Sequence, residues 1–163
     1  MGSVPLETAK SPKIIHRPDP CIIFRSASRA VTHLYDLVLS PTGMKSTQFI
    51  MLLAIAENTE IAQWELARLY SVSVETLSRR LAALRKSGLV EMRLGPSHNE
   101  RLYRLTEKGQ QKLQEAIPYW IRAQERFLQI AGASNWQLAL EMAQESILAA
   151  HEAEMAKLQN HVI

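Results

Sequence analysis

The sequence predicts a mostly α protein carrying one small β-hairpin. Three observations carry that expectation. Apolar residues recur at helical spacing through most of the chain. Apolar residues make up 47% of it and aromatics only 6%, a balance that suits helices packed on helices. Only residues 89–105 switch to strand-like alternation, around a Gly95-Pro96 turn. A length of 163 residues suits one folded unit with an added oligomerisation element, and not two full-sized enzymatic domains.

The elements follow in order. Residues 1–20 contain Pro5, Pro12, Pro18 and Pro20 without a helical period, so an extended arm is expected, and Gly2-Ser3 at its start resembles a cloning scar. Over 21–39, Ile22, Ile23, Ala27, Ala30, Val31, Leu34, Leu37 and Val38 keep helical spacing until Pro41-Thr42-Gly43 stops it. A second helix is expected over about 47–56. There Phe49, Ile50, Leu52, Leu53 and Ile55 leave almost no polar face, so this helix must be buried centrally.

Short helices over 64–70 and 74–87 flank a tight turn. On the latter, Val74, Leu77, Leu81 and Leu84 share one side and are expected to dock on the core. Glu75, Arg79, Ala82, Ala83 and Lys86 lie opposite, with Thr76 flanking them. Gly88 stands where a left-handed cap ends a helix. Residues 89–94 and 101–105 read as paired strands joined by the turn 95–99. Thr106 is placed to cap a long helix from Glu107 towards Phe127, bent at Pro118. Ser134 or Asn135 then opens a last helix, 136 to about 159. Two helices around a tight turn followed by a hairpin form the layout of a winged helix-turn-helix, which places one helix in a DNA groove.

Composition narrows the functional classes. The single cysteine, Cys21, excludes a disulfide within the chain, and no signal-peptide pattern is evident. The longest apolar run, 49–56, is far shorter than the ~20 residues a membrane span needs, so no membrane partner is expected and a reducing cytoplasm is the expected location. The net charge of +3 is small, but its distribution is uneven. Residues 73–87 hold Arg79, Arg80, Arg85 and Lys86 against Glu75 alone, whereas 110–163 hold four basic and six acidic residues. That asymmetry suits a DNA-facing module joined to a part facing elsewhere, although an ordinary solvated helix face would carry similar charges. His16, His33, His98, His151 and His161 lack metal-ligand spacing. No phosphate loop, nucleophile elbow or clustered acid and base pair is present, so neither catalysis nor a cofactor is expected.

Several motifs in series resemble the MarR family of transcriptional regulators. They are Glu65-Leu66-Ala67, then Thr76-Leu77-Ser78-Arg79 with Leu84, then Gly88-Leu89-Val90 with Arg93, and Leu105-Thr106-Glu107-Lys108-Gly109. The resemblance runs from Cys21 to the last helix. After the arm over 1–20, it implies a first dimerisation helix over 21–44, a winged module over 45–106, and C-terminal dimerisation helices over 107–163. It implies a homodimer that holds double-stranded DNA at a pseudo-palindromic operator, with half-sites about one turn, ~10 bp, apart. Ser73, Thr76, Ser78 and Arg79 match family positions that touch DNA. Arg79 is the foremost candidate, because its planar fork can bond guanine bidentately. Arg80, Arg85 and Lys86 are read as backbone neutralisers or as solubility charges, and Glu75 either repels phosphate or accepts from a cytosine. The wing departs from the family, whose Asp-x-Arg motif falls on Ser97 and Asn99 here. Arg101 is the substitute for the minor-groove contact if the hairpin shifts by two residues, and Arg93 is a candidate for the backbone.

The resemblance also implies a repressor released from DNA by a small phenolic or anionic effector. Candidates for lining its cavity are Phe24, His33, Tyr35, Phe49, Tyr119 and Trp120, against the alternative that each is ordinary core. Cys21, near a helix start with Arg25 one turn on and Tyr35 further along, is similar to the cysteine of the organic-peroxide-sensing branch. Against this, that branch's second tyrosine falls near Ser46, and its aromatic motif around 44–48 is absent. Cysteine is also a common small apolar filler. Two alternatives therefore stand beside the effector-released repressor: a peroxide sensor acting through Cys21, and a winged-helix dimer serving mainly protein interaction.

Overall fold

The computed structural model describes residues 19–97 and 100–160. Most of the expected arm, and the wing-tip position at Asn99, lie outside the described residues. The first helix, α1 (Pro20–Leu39), begins one residue earlier than expected. Pro20 supplies a preset φ at the first helical position, and the Asp19 carboxylate accepts from the Ile22 amide at 3.2 Å. A 3-10 turn, Ser40–Thr42, ends it at Gly43, whose φ is 68°.

Helix α2 (Ser46–Glu57) is fixed to α1 by a polar clamp. The Ser46 amide donates to Asp36 Oδ1 at 2.7 Å, and the Lys45 ammonium lies 3.5 Å from Asp36 Oδ2. Burial works against the Asp36 carboxylate. The Ser46 amide and hydroxyl together with Lys45 outweigh it and hold the carboxyl below its usual range. As its composition requires, α2 is central, with Phe49, Met51, Leu52, Ala54 and Ile55 all buried.

A two-residue strand, β1 (Ile61–Ala62), leads into α3 (Gln63–Leu69), which starts one residue before the expected helix. The strand escapes sequence reading because two residues show no period; pairing with Tyr103 and Leu102 defines it. Helix α4 (Val74–Lys86) buries Leu77, Leu81 and Leu84 fully, as its stripe predicts. Val74 does not follow the stripe and stays 46% exposed, because it is the first helical residue and overhangs the turn.

The hairpin forms with β2 (Val90–Leu94) and β3 (Arg101–Leu105) in antiparallel register, Val90 opposite Leu105, Met92 opposite Tyr103 and Leu94 opposite Arg101. Strand order is β1-β3-β2, so β3 is the middle strand. Helix α5 (Glu107–Ala131) outruns the expected Phe127 and accommodates Pro118 in its interior; Gly132, at φ 80°, is what stops it. The last helix, α6 (Ala133–Asn160), therefore starts at once.

Two glycines at the α4–β2–α5 junction are required by geometry. Gly88 has φ 72°, the left-handed region that closes α4. Gly109 sits where any Cβ would overlap the Leu89 carbonyl oxygen. Around it, the Thr106 hydroxyl donates to the Gly88 carbonyl at 2.6 Å and accepts from the Gly109 amide at 3.0 Å, while Lys108 Nζ donates to the Ser87 carbonyl at 2.8 Å. The Leu-Thr-Glu-Lys-Gly run is thus a lock between the end of α4 and the start of α5.

Candidate nucleic-acid interface

The α3–α4 unit is built from its turn outward. Ser71 takes a left-handed φ of 47°, and the Val72 amide donates to the Ala67 carbonyl at 3.1 Å. The Tyr70 hydroxyl donates to the Ile50 carbonyl at 2.6 Å, which ties the turn to α2. Burial, reinforced by Glu57, pushes that phenol up to about 12. Ser73 caps α4: its Oγ accepts from the Thr76 amide at 3.3 Å and lies 3.1 Å from Thr76 Oγ1.

Arg79 and Lys86 lie opposite the buried leucines and Arg80 and Arg85 flank them, and all four are exposed. Among the described residues no carboxylate lies within ion-pair distance of any of the four. Glu75 is exposed near the helix start. Its own backbone amide, then the Ser73 hydroxyl, hold its carboxyl below the usual range, so it carries negative charge at neutral pH. Ser78 is placed differently from what the sequence suggests. It is half-buried and its hydroxyl accepts from Gln63 Nε2, so it faces the helix-turn-helix interior.

In the wing, Arg93 is already engaged. Its guanidinium makes a two-pronged pair with the Glu60 carboxylate, which raises its own pKa and binds β2 to the lead-in of β1. Arg104 and Glu91 pair across β2 and β3 at 2.6 Å. Arg101, at the start of β3, is exposed, as is Ser97. Sequence reading missed three contributors: Gln63, the Glu60 partner of Arg93, and Lys108. The first two act over long sequence separations that no local pattern reports. Only Lys108 had a signal, its place in the family motif.

The six aromatic and histidine candidates do not line one cavity within a single chain. Trp120 stacks on Phe49 with centroids 4.4 Å apart and meets Tyr35 edge-on at 4.5 Å, so three of the six join at the crossing of α1, α2 and α5. Tyr35 alone of these reaches a hollow of about 270 Å³, shared with Gln124, Phe127 and Trp136, and Trp136 meets Phe127 at 5.1 Å. Tyr119 instead lies under Arg122 at 5.7 Å, much as Trp64 lies under Arg68 at 5.5 Å. His33 and Phe24 are exposed on α1, which winds them away from that crossing. Cys21 is an exposed free thiol beside the Asp19 cap. Fourteen residues of helix, ~21 Å, separate it from Tyr35 in the same chain. Among the described residues no group of three or more His, Cys, Asp or Glu is placed to hold a metal, and no helix is long and apolar enough to cross a membrane.

Three helices, a wing on a three-stranded sheet and long flanking helices define a winged-helix transcriptional regulator. The transcriptional regulator MosR of M. tuberculosis, solved in complex with DNA, is 30% identical. It has a TM-score of 0.76, over 83% of this chain and 98% of that one. A mutant MarR from E. coli, solved with operator DNA, is 22% identical with a TM-score of 0.69, over 78% and 92% of the two chains. A MarR-family regulator from a Rhodococcus species is 19% identical with a TM-score of 0.66, over 76% and 89%. No family model and no curated protein matches the chain. At that identity and coverage to MosR, the chain belongs to the MarR family of transcriptional regulators.

Proposed function

We propose that the chain is a homodimeric, sequence-specific DNA-binding repressor released from its operator by a small-molecule effector. One observation carries the reading: α4 locks Leu77, Leu81 and Leu84 into the core and leaves Arg79, Arg80, Arg85 and Lys86 exposed on the rest of its surface. A rigidly docked helix with a free basic face is what a major groove accepts. Ser73 and Thr76 stand at its entry, and Arg79 is the residue assigned to base contact. Arg101 takes the wing contact, since Arg93 is occupied by Glu60.

Dimerisation rests on α1, α5 and α6, whose Ile22, Leu37, Ile130 and Leu148 are each more than half exposed. Effector release is assigned to the α1–α2–α5 crossing, where Tyr35, Trp120 and Phe49 join the dimer helices to the winged module. The MosR complex with DNA supports the DNA partner.

A salt series with Arg79→Ala tests the reading. Binding of the wild-type chain to its selected duplex should weaken steeply as salt rises, through counterion release, and Arg79→Ala should abolish specific binding. Weak binding insensitive to both would leave the protein-interaction alternative.

A further inference from the structure

We propose that Gln63 is a positioning residue for DNA reading, fixing the first turns of α4 against the wing strand β3. The inference rests on the DNA-binding reading above. Gln63 opens α3 and is buried, 7% exposed, where a polar side chain needs partners from its surroundings. Its Nε2 donates to Ser78 Oγ at 2.5 Å and to the Val74 carbonyl at 3.3 Å, so both amide protons go to the start of α4. Its Oε1 lies 3.5 Å from the hydroxyl of Tyr103, which is buried in the middle strand. One side-chain amide on α3 thus meets two other elements, α4 and β3.

The consequence follows from what surrounds those atoms. Val74 and Ser78 bracket Glu75, Thr76 and Leu77, and Ser78 immediately precedes Arg79, so Gln63 holds the turn of α4 that leads into the proposed base contact. Tyr103 lies two residues from Arg101 on β3. A leucine core resists separation of α4 from the domain but is weakly directional, and rotation of α4 about its own axis slides apolar surface over apolar surface. Directional bonds to Val74 and Ser78 oppose that rotation. Ser78, in the family a DNA-contact position, here acts through Gln63.

The test measures two affinities at one salt concentration for the full-length chain. The first probe is a duplex that the wild-type chain selects from a randomised pool, and the second is a scrambled duplex of equal length. Gln63→Leu should lower the ratio of selected to scrambled affinity by roughly fivefold to tenfold, the loss of one or two directional bonds. Affinity for the scrambled duplex and its salt slope should not change, because every phosphate-facing cation remains. Tyr103→Phe, which keeps the ring in the core, should lower the ratio about twofold. This variant settles the matter if Gln63→Leu does not fold. A purely structural role would lower the melting temperature and the active fraction but leave the ratio intact.

An unchanged ratio in a folded Gln63→Leu protein overturns this proposal and spares the DNA reading. In the event that Gln63→Leu does not fold, an unchanged ratio in Tyr103→Phe does the same. A wild-type chain that enriches no sequence overturns both.

Discussion

The winged module and α6 make opposite use of their apolar residues. In the module, Phe49, Leu52, Ile55, Leu66, Leu77, Leu81 and Leu84 are essentially sealed from solvent by partners in the same chain. In α6, no described residue is buried, and Leu138, Met142, Ile147 and Leu148 are each more than half exposed. The module's core closes within the chain, with Leu39 of α1 and Leu113 and Ala116 of α5 built into it, whereas α6 is a 28-residue helix that leaves most of its apolar side chains open. On the proposed dimer reading, the contrast divides one polypeptide between a core completed within the chain and a helix held open for a second copy.

The largest break in that comparison comes from paired truncations. Leu81→Ala should cost about 2 to 5 kcal/mol in urea unfolding at any protein concentration, since it empties a sealed site. Leu148→Ala should instead shift dimer dissociation to higher protein concentration in sedimentation, with little effect on the unfolding of the module. If Leu148→Ala destabilises the module as strongly as Leu81→Ala, the division is wrong. Next in size is Gly109→Ala. Its Cβ overlaps the Leu89 carbonyl oxygen, so the α4–β2–α5 junction must shift, at a cost of about 1 to 3 kcal/mol read from the same unfolding curves.

The smallest effect lies where α1 meets α2. Asp36 is held below its unfolded pKa of about 3.9, so its contribution is complete above roughly pH 5 and is lost as pH falls through the depressed folded value. The melting temperature of Asp36→Asn should therefore fall less steeply than that of the wild type between about pH 5 and pH 3. Parallel pH profiles would show that the α1–α2 clamp contributes nothing.

Legibility in the sequence divides along similar lines. The buried stripe of α4 was readable because burial there follows the 3.6-residue period, and Val74 broke it only because the first residue of a helix has no preceding turn to shelter it. The helix ends were readable to within a residue or two where Pro20, Gly43 and Gly88 punctuate them. The fifth helix, expected to run towards Phe127, continues to Ala131, where Gly132 at positive φ ends it. Polar side-chain destinations were not readable. Arg93 finds Glu60 from 33 residues away and Ser78 finds Gln63 from 15, and both are settled by strand pairing and helix docking rather than by neighbours in the chain. The aromatic candidates were visible as residue types, but only the packing of α1 and α5 around α2 separates Tyr35, Phe49 and Trp120 from the others.

The stack of Trp120 on Phe49, edge-on to Tyr35, has a further use. An indole pressed between a phenyl ring and a phenol has an emission colour and quantum yield set by those two neighbours. The three rings come from α5, α2 and α1, so any shift among these helices alters the light that Trp120 emits. With Trp64 replaced to remove the exposed indole, and Trp136 to remove the one at the α5–α6 corner, the protein becomes its own optical gauge of how α1, α2 and α5 sit together.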